Sequence, residues 1–233
     1  MTDKRTNFTR INFKDHEMII HGDGTIYWPE QKVLIVSDLH LEKGAALSSG
    51  APLPAFDTID TLQRLQRRVE ALQPQTTILL GDSFHTTERA FRLPPDNLAL
   101  LQKMGALTDF IWVTGNHDRH LPERLPGKAT DEVTIQNIRF CHEADNLAGQ
   151  YTVSGHYHPK ARVKLRATTL SARCFVQDGI NLIMPAFGSY TGGLNICHDA
   201  FAPFISQESI IHLIHDNKAY SMPFQKSRFV KSI

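Results

Sequence analysis

The sequence has little of what would place a chain in a membrane, outside a cell or on nucleic acid by bulk charge. Its cysteines, Cys141, Cys174 and Cys197, are odd in number and share no metal-type spacing. That argues against a thiolate metal cluster and fits buried free thiols in a reducing compartment. Lys and Arg total 25 against 24 Asp and Glu, a net charge of +1. No global basic field is present, so any basic binding surface must be local. No apolar run approaches the roughly 20 residues of a membrane span. Met1 to Lys14 is polar, without the apolar core of a secretory signal. The expectation is a cytoplasmic protein with no membrane contact. There is no internal repeat, low-complexity tract or convincing linker. A hydrophobic fraction of 41% is ordinary for a chain that buries a core. One domain over 16–224 is expected, with a flexible start at 1–15 and a basic tail at 225–233.

What the chain has in number is histidine, 12 in all, and several follow buried-looking runs. Val33 to Val36 is unbroken aliphatic, reads as a strand buried on both faces, and ends in Asp38-Leu39-His40. The pattern recurs at Leu79-Leu80-Gly81-Asp82, at Val113-Thr114-Gly115-Asn116-His117-Asp118 and at Val153-Ser154-Gly155-His156-Tyr157-His158. Phe56 to Leu72 carries Ile59, Leu62, Leu65, Val69 and Leu72 at helical spacing, with Arg64, Arg67 and Arg68 outward as a solvated face. Pro95 to Met104 is a second helix. The order β-α-β-α-β predicts a parallel unit whose strand ends carry Asp38, Asp82 and Asn116, where ligands of such sheets bind. Met18 to Trp28 reads as a hairpin. From Val133 onward the chain is strand-rich, with 133–141, 151–154, 160–166, 173–177, 180–184 and 210–214 as short strands forming a second sheet.

Asp38, His40, Asp82, Asn116, His156 and His158 supply carboxylates, imidazoles and one amide oxygen. Without thiolate, they suit an open site for Mn²⁺, Fe or Zn²⁺ rather than a closed structural zinc. A carboxylate bridging two ions would explain the convergence of so many donors. Such a pair lowers the pKa of a bridging water, and the hydroxide attacks phosphorus in line. The leaving group then needs a proton. His117 beside Asn116 is placed to give it, with Asp118 next to the imidazole to fix its orientation.

The blocks Asp38-Leu39-His40, Gly81-Asp82, Gly115-Asn116-His117-Asp118 and Gly155-His156-Tyr157-His158 resemble the signature of calcineurin-like metallophosphoesterases. The resemblance implies an α/β fold, two packed mixed β-sheets flanked by helices in a four-layer sandwich, with a two-metal centre. It implies that Asp38, His40 and His158 hold one ion, that Asp82 bridges, and that Asn116 and His156 hold the other with one more histidine. His142 is the candidate for that place and His120 the fallback. Many relatives carry Asp or Arg shortly after the second block, where this chain has His85. His85 either contacts substrate phosphate or caps a loop.

Trp28-Pro29, the run 81–85 and the glycine-rich run 184–193 are similar to the bacterial ligase-associated DNA damage response endonucleases. That narrower resemblance implies a Mn²⁺-dependent DNA phosphodiesterase or endonuclease of DNA repair, in systems with a DNA ligase and a helicase. The run 184–193 is either a phosphate-approaching turn or a tight turn between strands. Lys160, Arg162 and Lys164 alternate with Ala161 and Val163, so a strand there has one basic face. It is a nucleic-acid track, a protected edge strand or a site for a small charged ligand. A phosphodiesterase or phosphatase of small nucleotides and a non-catalytic scaffold are the rival readings. A homodimer is compatible with an apolar edge of the second sheet.

Overall fold

The computed structural model describes residues 7–44, 56–145, 149–166, 168–189 and 191–231. Gly50, Pro52 and Pro54, which read in the sequence as a loop after His40, lie outside the described residues, as do 1–6, Tyr190 and 232–233.

Three aliphatic strands lie at the centre of the first sheet. β4 (Val33–Ser37) is buried at every position. β5 (Thr76–Leu80) and β6 (Asp109–Val113) are buried at four of five positions each. All three pair in parallel, Ile35 beside Ile78 and Ile78 beside Ile111. β7 (Lys128–Thr130) adds a short parallel edge that the proline-rich stretch before it hides in the sequence. On the other side β3 (Ile26–Trp28), β2 (His16–His21) and β1 (Phe8–Phe13) run antiparallel. β1 corrects the expected flexible start. Ile11 and Phe13 are buried, so this stretch has an apolar face to bury despite its polar neighbours.

The second sheet has the order β15 (Lys218–Pro223), β14 (Ile210–His215), β12 (Thr169–Gln177), β13 (Asn181–Ile183), β10 (Tyr151–Ser154), β9 (Ile138–Cys141), β8 (Glu132–Ile135). β10 is parallel to β9 and β13, and the remaining pairs are antiparallel, so both sheets are mixed. The expected single strand 133–141 is instead the hairpin β8–β9, turned at Gln136 and Asn137, both at positive φ. β15 has no counterpart in the sequence reading. It follows an equivalent turn at Asp216 and Asn217.

Between the sheets lies one core. Ile20, Ile35, Ile78 and Val113 of the first sheet meet Phe140, Val153, Phe175 and Leu182 of the second. The outer face of the first sheet is covered by α1 (Phe56–Leu72) and α3 (Pro95–Gly105), with the short α2 (Thr87–Phe91) between them. In α1 the inward row is Thr58, Thr61, Leu62, Leu65 and Val69, while Ile59 is 41% exposed. Thr58 is drawn inward because its hydroxyl accepts the Glu42 N–H at 2.7 Å.

The outer face of the second sheet is covered by a 3₁₀ helix (Asp199–Phe204), by β11 (Lys160–Lys164) and by Phe229, rather than by α-helices. β11 pairs with β12 on one side. On the other it is closed by backbone bonds, Lys160 N–H to Leu194, Lys164 N–H to Arg228 and Val230 N–H to Arg162, each 2.9 Å. β11 is therefore not a free edge, and the edge-protection reading of its charges falls. The segment expected as a basic tail packs here through the buried Phe229.

Candidate metal centre

The ends of β4, β5, β6, β9 and β10 open onto one rim of the sandwich. There the chain bends sharply. Asp38, His40, Asp82, His156 and His158 all have positive φ, between 44° and 68°. Non-glycine residues adopt this region at a cost, and clusters of them mark functional loops. The bends turn the side chains back toward one point.

Backbone bonds hold the bends in place. The loop after β4 runs beside the loop after β5: Asp38 N–H donates to Gly81 (3.2 Å), His40 N–H to Asp82 (2.9 Å) and Leu41 N–H to Ser83 (2.9 Å). Each aspartate is braced by another loop. His156 N–H donates to Asp38 Oδ2 at 3.1 Å, and His117 N–H to Asp82 Oδ1 at 2.9 Å. The glycines before the ligand positions give this room. A Cβ on Gly115 would collide with Asp82 Oδ1, one on Gly155 with Asp38 Oδ2, and one on Gly81 with the His142 ring.

Two groups of donors result, Asp38 with His40 and His158, and Asp82 with His142 and His156; within each, the donor atoms lie within 4.8 Å of one another. His158 Nε2 is 3.1 Å from Asp38 Oδ1 and 3.3 Å from His40 Nε2. His142 Nε2 faces Asn116 Oδ1 at 2.9 Å, His156 Nδ1 at 3.1 Å and Asp82 Oδ2 at 3.3 Å. One N–H could satisfy only one of those three lone pairs. Acceptors crowded in this way suit a cation, and the oxygen and imidazole donor set fits a divalent ion.

The protonation states agree. Burial takes His40 down to about 4 against the pull of Asp38. Burial also lowers His156. Neutral imidazole is the form that binds metal. For Asp82, burial pushes upward, but His142 and the His117 N–H outweigh it and hold the carboxyl at about 2. Burial alone would lower His142, yet its bond to Asp82 and the charges of Asp38 and Asp82 raise it. Those carboxylates are the negative charge that a cation would neutralise.

His117 flanks the two groups. Its ring lies 5.3 Å from that of His40 and 5.8 Å from that of His85, centre to centre. Its Nδ1 is 2.9 Å from the His85 carbonyl oxygen, and its Nε2 is 3.9 Å from Asp82 Oδ2. His85 is thus brought to the site. Asp118 plays a different part from the one expected. Its two oxygens accept the N–H groups of Gly115 (2.9 Å) and Phe84 (3.1 Å), so this fully buried carboxylate fastens two loops together. His120 is exposed and stands in neither donor group among the described residues. Lys160 follows His158 by two residues; Lys160 and Arg162 are half-buried and Lys164 is exposed, while Ala161 and Val163 are buried.

Sequence reasoning missed Glu143. Its carboxylate accepts from the Tyr157 hydroxyl at 3.3 Å and is 3.7 Å from His156 Nε2, the ring nitrogen opposite the Nδ1 that faces the other donors. The only signal is its place next to His142. In the run 184–193, three amides of the first half are committed to the fold. The amides of Met184, Phe187 and Gly188 are bonded to the carbonyls of Ser154, Ser37 and Asp38.

The calcineurin-like phosphoesterase family model matches residues 31–180, a span that holds all of these donors. The chain belongs to that family. β13, β14 and β15 of the second sheet lie beyond the matched span. Among solved structures, Pseudomonas putida nuclease MPE is 27% identical, over 92% of this chain and 100% of that one, with a TM-score of 0.71. The phosphoesterase Yfce from E. coli is 13% identical, over 83% of this chain and 99% of that one, with a TM-score of 0.40. No curated protein matches the chain. The family membership makes this a metal-dependent phosphoesterase fold with two candidate metal groups. No helix of the described residues is long and apolar enough to cross a membrane.

Proposed function

We propose that the protein is a two-metal phosphodiesterase that cleaves DNA as an endonuclease in DNA repair. The observation that carries this reading is the pair of buried donor groups sharing one rim with His117. Asp38, His40 and His158 would hold one ion. Asn116, His142 and His156 would hold the other, with Asp82 shared between them. Two divalent ions, Mn²⁺ foremost and Fe or Zn²⁺ as alternatives, would supply an activated water at neutral pH and positive charge for the phosphate oxygens.

The chain's own residues do the rest. The backbone braces on Asp38 and Asp82 keep both carboxylates fixed, so little reorganisation accompanies the reaction. The attacking water would give one proton to solvent, and its oxygen would bond to phosphorus as the bond to the leaving oxygen breaks. His117 donates its Nε2 proton to that oxygen, while Nδ1–H stays bonded to the His85 carbonyl. Asp118 holds the loop that carries Asn116 and His117.

DNA as substrate is supported by the likeness to a nuclease over nearly the whole chain and by the basic face of β11. Lys160, Arg162 and Lys164 would hold backbone phosphates, and His85 would contact the phosphate at the metals. The similarity to the ligase-associated group supports a role beside a DNA ligase and a helicase. The free cysteines, Cys141 and Cys174 among them buried, support a cytoplasmic place.

Turnover of an aryl phosphodiester and of single-stranded and gapped DNA, with Mn²⁺ at low and moderate salt, tests the reading. Cleavage of both, with only DNA cleavage falling steeply with salt, is the expected result. Cleavage of the aryl ester alone would turn the reading toward small nucleotide esters. Cleavage of neither would turn it toward a scaffold.

A further inference from the structure

The helical spacing of α1 predicts that its arginines turn to solvent. Arg67 does so, but Arg64 and Arg68 are half-buried against neighbouring segments, and the contacts of the helix mark the path. Thr61 Oγ1 lies 3.2 Å from Ser189 Oγ. Arg64 Nη2 donates to the Phe187 carbonyl at 2.7 Å, and its guanidinium lies 4.4 Å from the Phe187 ring centre. Arg68 is clamped to Asp23 through Nε (2.9 Å) and Nη2 (2.5 Å). The segment under Arg64 is joined to the metal strand, since Phe187 N–H donates to Ser37 and Gly188 N–H to Asp38. Asp23 belongs to the β2–β3 turn, and Ile26 pairs with Ile35, so this turn lies at the same end of the sheet as Asp38.

Charge does not balance at this place. Arg173 is brought in as well, donating to the Ala186 carbonyl at 2.7 Å and to the Asp23 carbonyl at 3.5 Å. The ion pairs are Arg64 with Asp60 and Arg68 with Asp23. Arg67 is exposed and makes no hydrogen bond or ion pair among the described residues. The bonds of Arg64 use Nε and Nη2 and leave Nη1. His21 adds no charge to the group, because burial and the Arg68 guanidinium beside it hold it down to about 4. A cleft of about 310 Å³ is lined by Asp23, Arg64, Arg67, Arg68 and Asn217. That is the space of roughly ten waters, enough for a phosphate group with a few waters.

We infer that Arg64, Arg67 and Arg68 on α1 form a second phosphate site, which takes the nucleic-acid backbone as it leaves the metal centre across Phe187–Ser189. This inference rests on the nucleic-acid reading above. Arg68 is held by Asp23 and shapes the cleft, Arg64 presents Nη1, and Arg67 closes on the phosphate. Guanidinium groups suit this task because their planar forks match phosphate oxygens. The site places a backbone contact on the first-sheet side of the metals, whereas β11 offers one on the second-sheet side. Together they favour a polynucleotide over a mononucleotide.

Arg67→Ala is the informative variant, because Arg67 is exposed and its removal breaks no hydrogen bond or ion pair among the described residues. Binding of a labelled phosphorothioate single strand, which keeps its charges and resists cleavage, is measured by fluorescence anisotropy from about 50 to 300 mM salt. Lys128→Ala serves as a charge-matched control on β7, the opposite edge of the sheet. The expected result is a salt slope shallower by about 0.7 and an affinity about fivefold weaker at about 0.1 M for Arg67→Ala, with the control like wild type. If wild type shows a steep slope and Arg67→Ala matches it, the α1 site is wrong and the nucleic-acid reading stands. If wild type shows no salt-dependent binding, both fall.

Discussion

The Nδ1 of His117 lies 2.9 Å from the carbonyl oxygen of His85. A carbonyl only accepts, so Nδ1 carries the proton and Nε2 is the nitrogen turned toward Asp82. The ring is therefore oriented by the neighbouring loop's backbone and not by Asp118. His117→Ala should keep its metals and lose about 10²- to 10⁴-fold in DNA cleavage, the usual worth of a positioned acid. An aryl diester, whose leaving group needs no proton, should lose far less. Equal losses on the two substrates would remove His117 from the acid role.

Asp118 gives the matching contrast. Asn at this position would keep one acceptor oxygen and turn an N–H group toward a backbone N–H. Asp118→Asn should cost about 1–3 kcal/mol of stability, as buried unpaired donors do. It should slow aryl and DNA substrates alike. Urea unfolding and the two assays check this. A loss confined to poor leaving groups would restore Asp118 as the partner of the imidazole.

Gly115 faces Asp82 so closely that even a methyl group has no room. Gly115→Ala should displace Asp82, weaken metal binding and cost about 1–3 kcal/mol. Gly179→Ala, where an added Cβ meets nothing within 4 Å, should leave metal affinity unchanged. Isothermal titration with Mn²⁺ after chelation reads both.

His212, far from the metals in sequence and fully buried in β14, sits between Ser221 Oγ at 2.7 Å and Gln177 Oε1 at 3.0 Å. Burial lowers it from 6.5 to about 4. As pH falls through 6.5 the unfolded chain takes up a proton that the folded chain refuses. Stability is thus lost between about 6.5 and 4 and levels off below. At about 1.36 kcal/mol per unit, the shift corresponds to roughly 3 kcal/mol. Urea midpoints from about pH 7 to 4.5 should fall for wild type and fall less steeply for His212→Gln. Parallel curves would contradict this.

Much of the fold and of the metal centre is legible in the sequence, and the reason is chemical. Buried parallel strands must be aliphatic, so Val33–Val36, Thr76–Leu80 and Phe110–Val113 stand out. The Asp, Asn and His residues that follow them are costly to bury unless something charged binds there. The hairpins are harder to read. Lys14-Asp15, Gln136-Asn137 and Asp216-Asn217 all turn at positive φ without a glycine. That hides β1, β15 and the break between β8 and β9. Asp118 misleads because adjacency in sequence is a poor guide to contact in a sharp turn. Glu143 is invisible because a carboxylate beside one histidine says nothing about its reach to another. The α1 arginines look like a solvated face because helical spacing does not reveal that Phe187 and Asp23 lie against that face.

The central claim is that two ions share Asp82. Metal content per chain, by inductively coupled plasma mass spectrometry after Mn²⁺ loading and desalting, tests it most directly on wild type and Asp82→Ala. The account predicts two ions in wild type and loss from both positions in the variant, with activity abolished. A single ion in wild type, or two retained by Asp82→Ala, would contradict it.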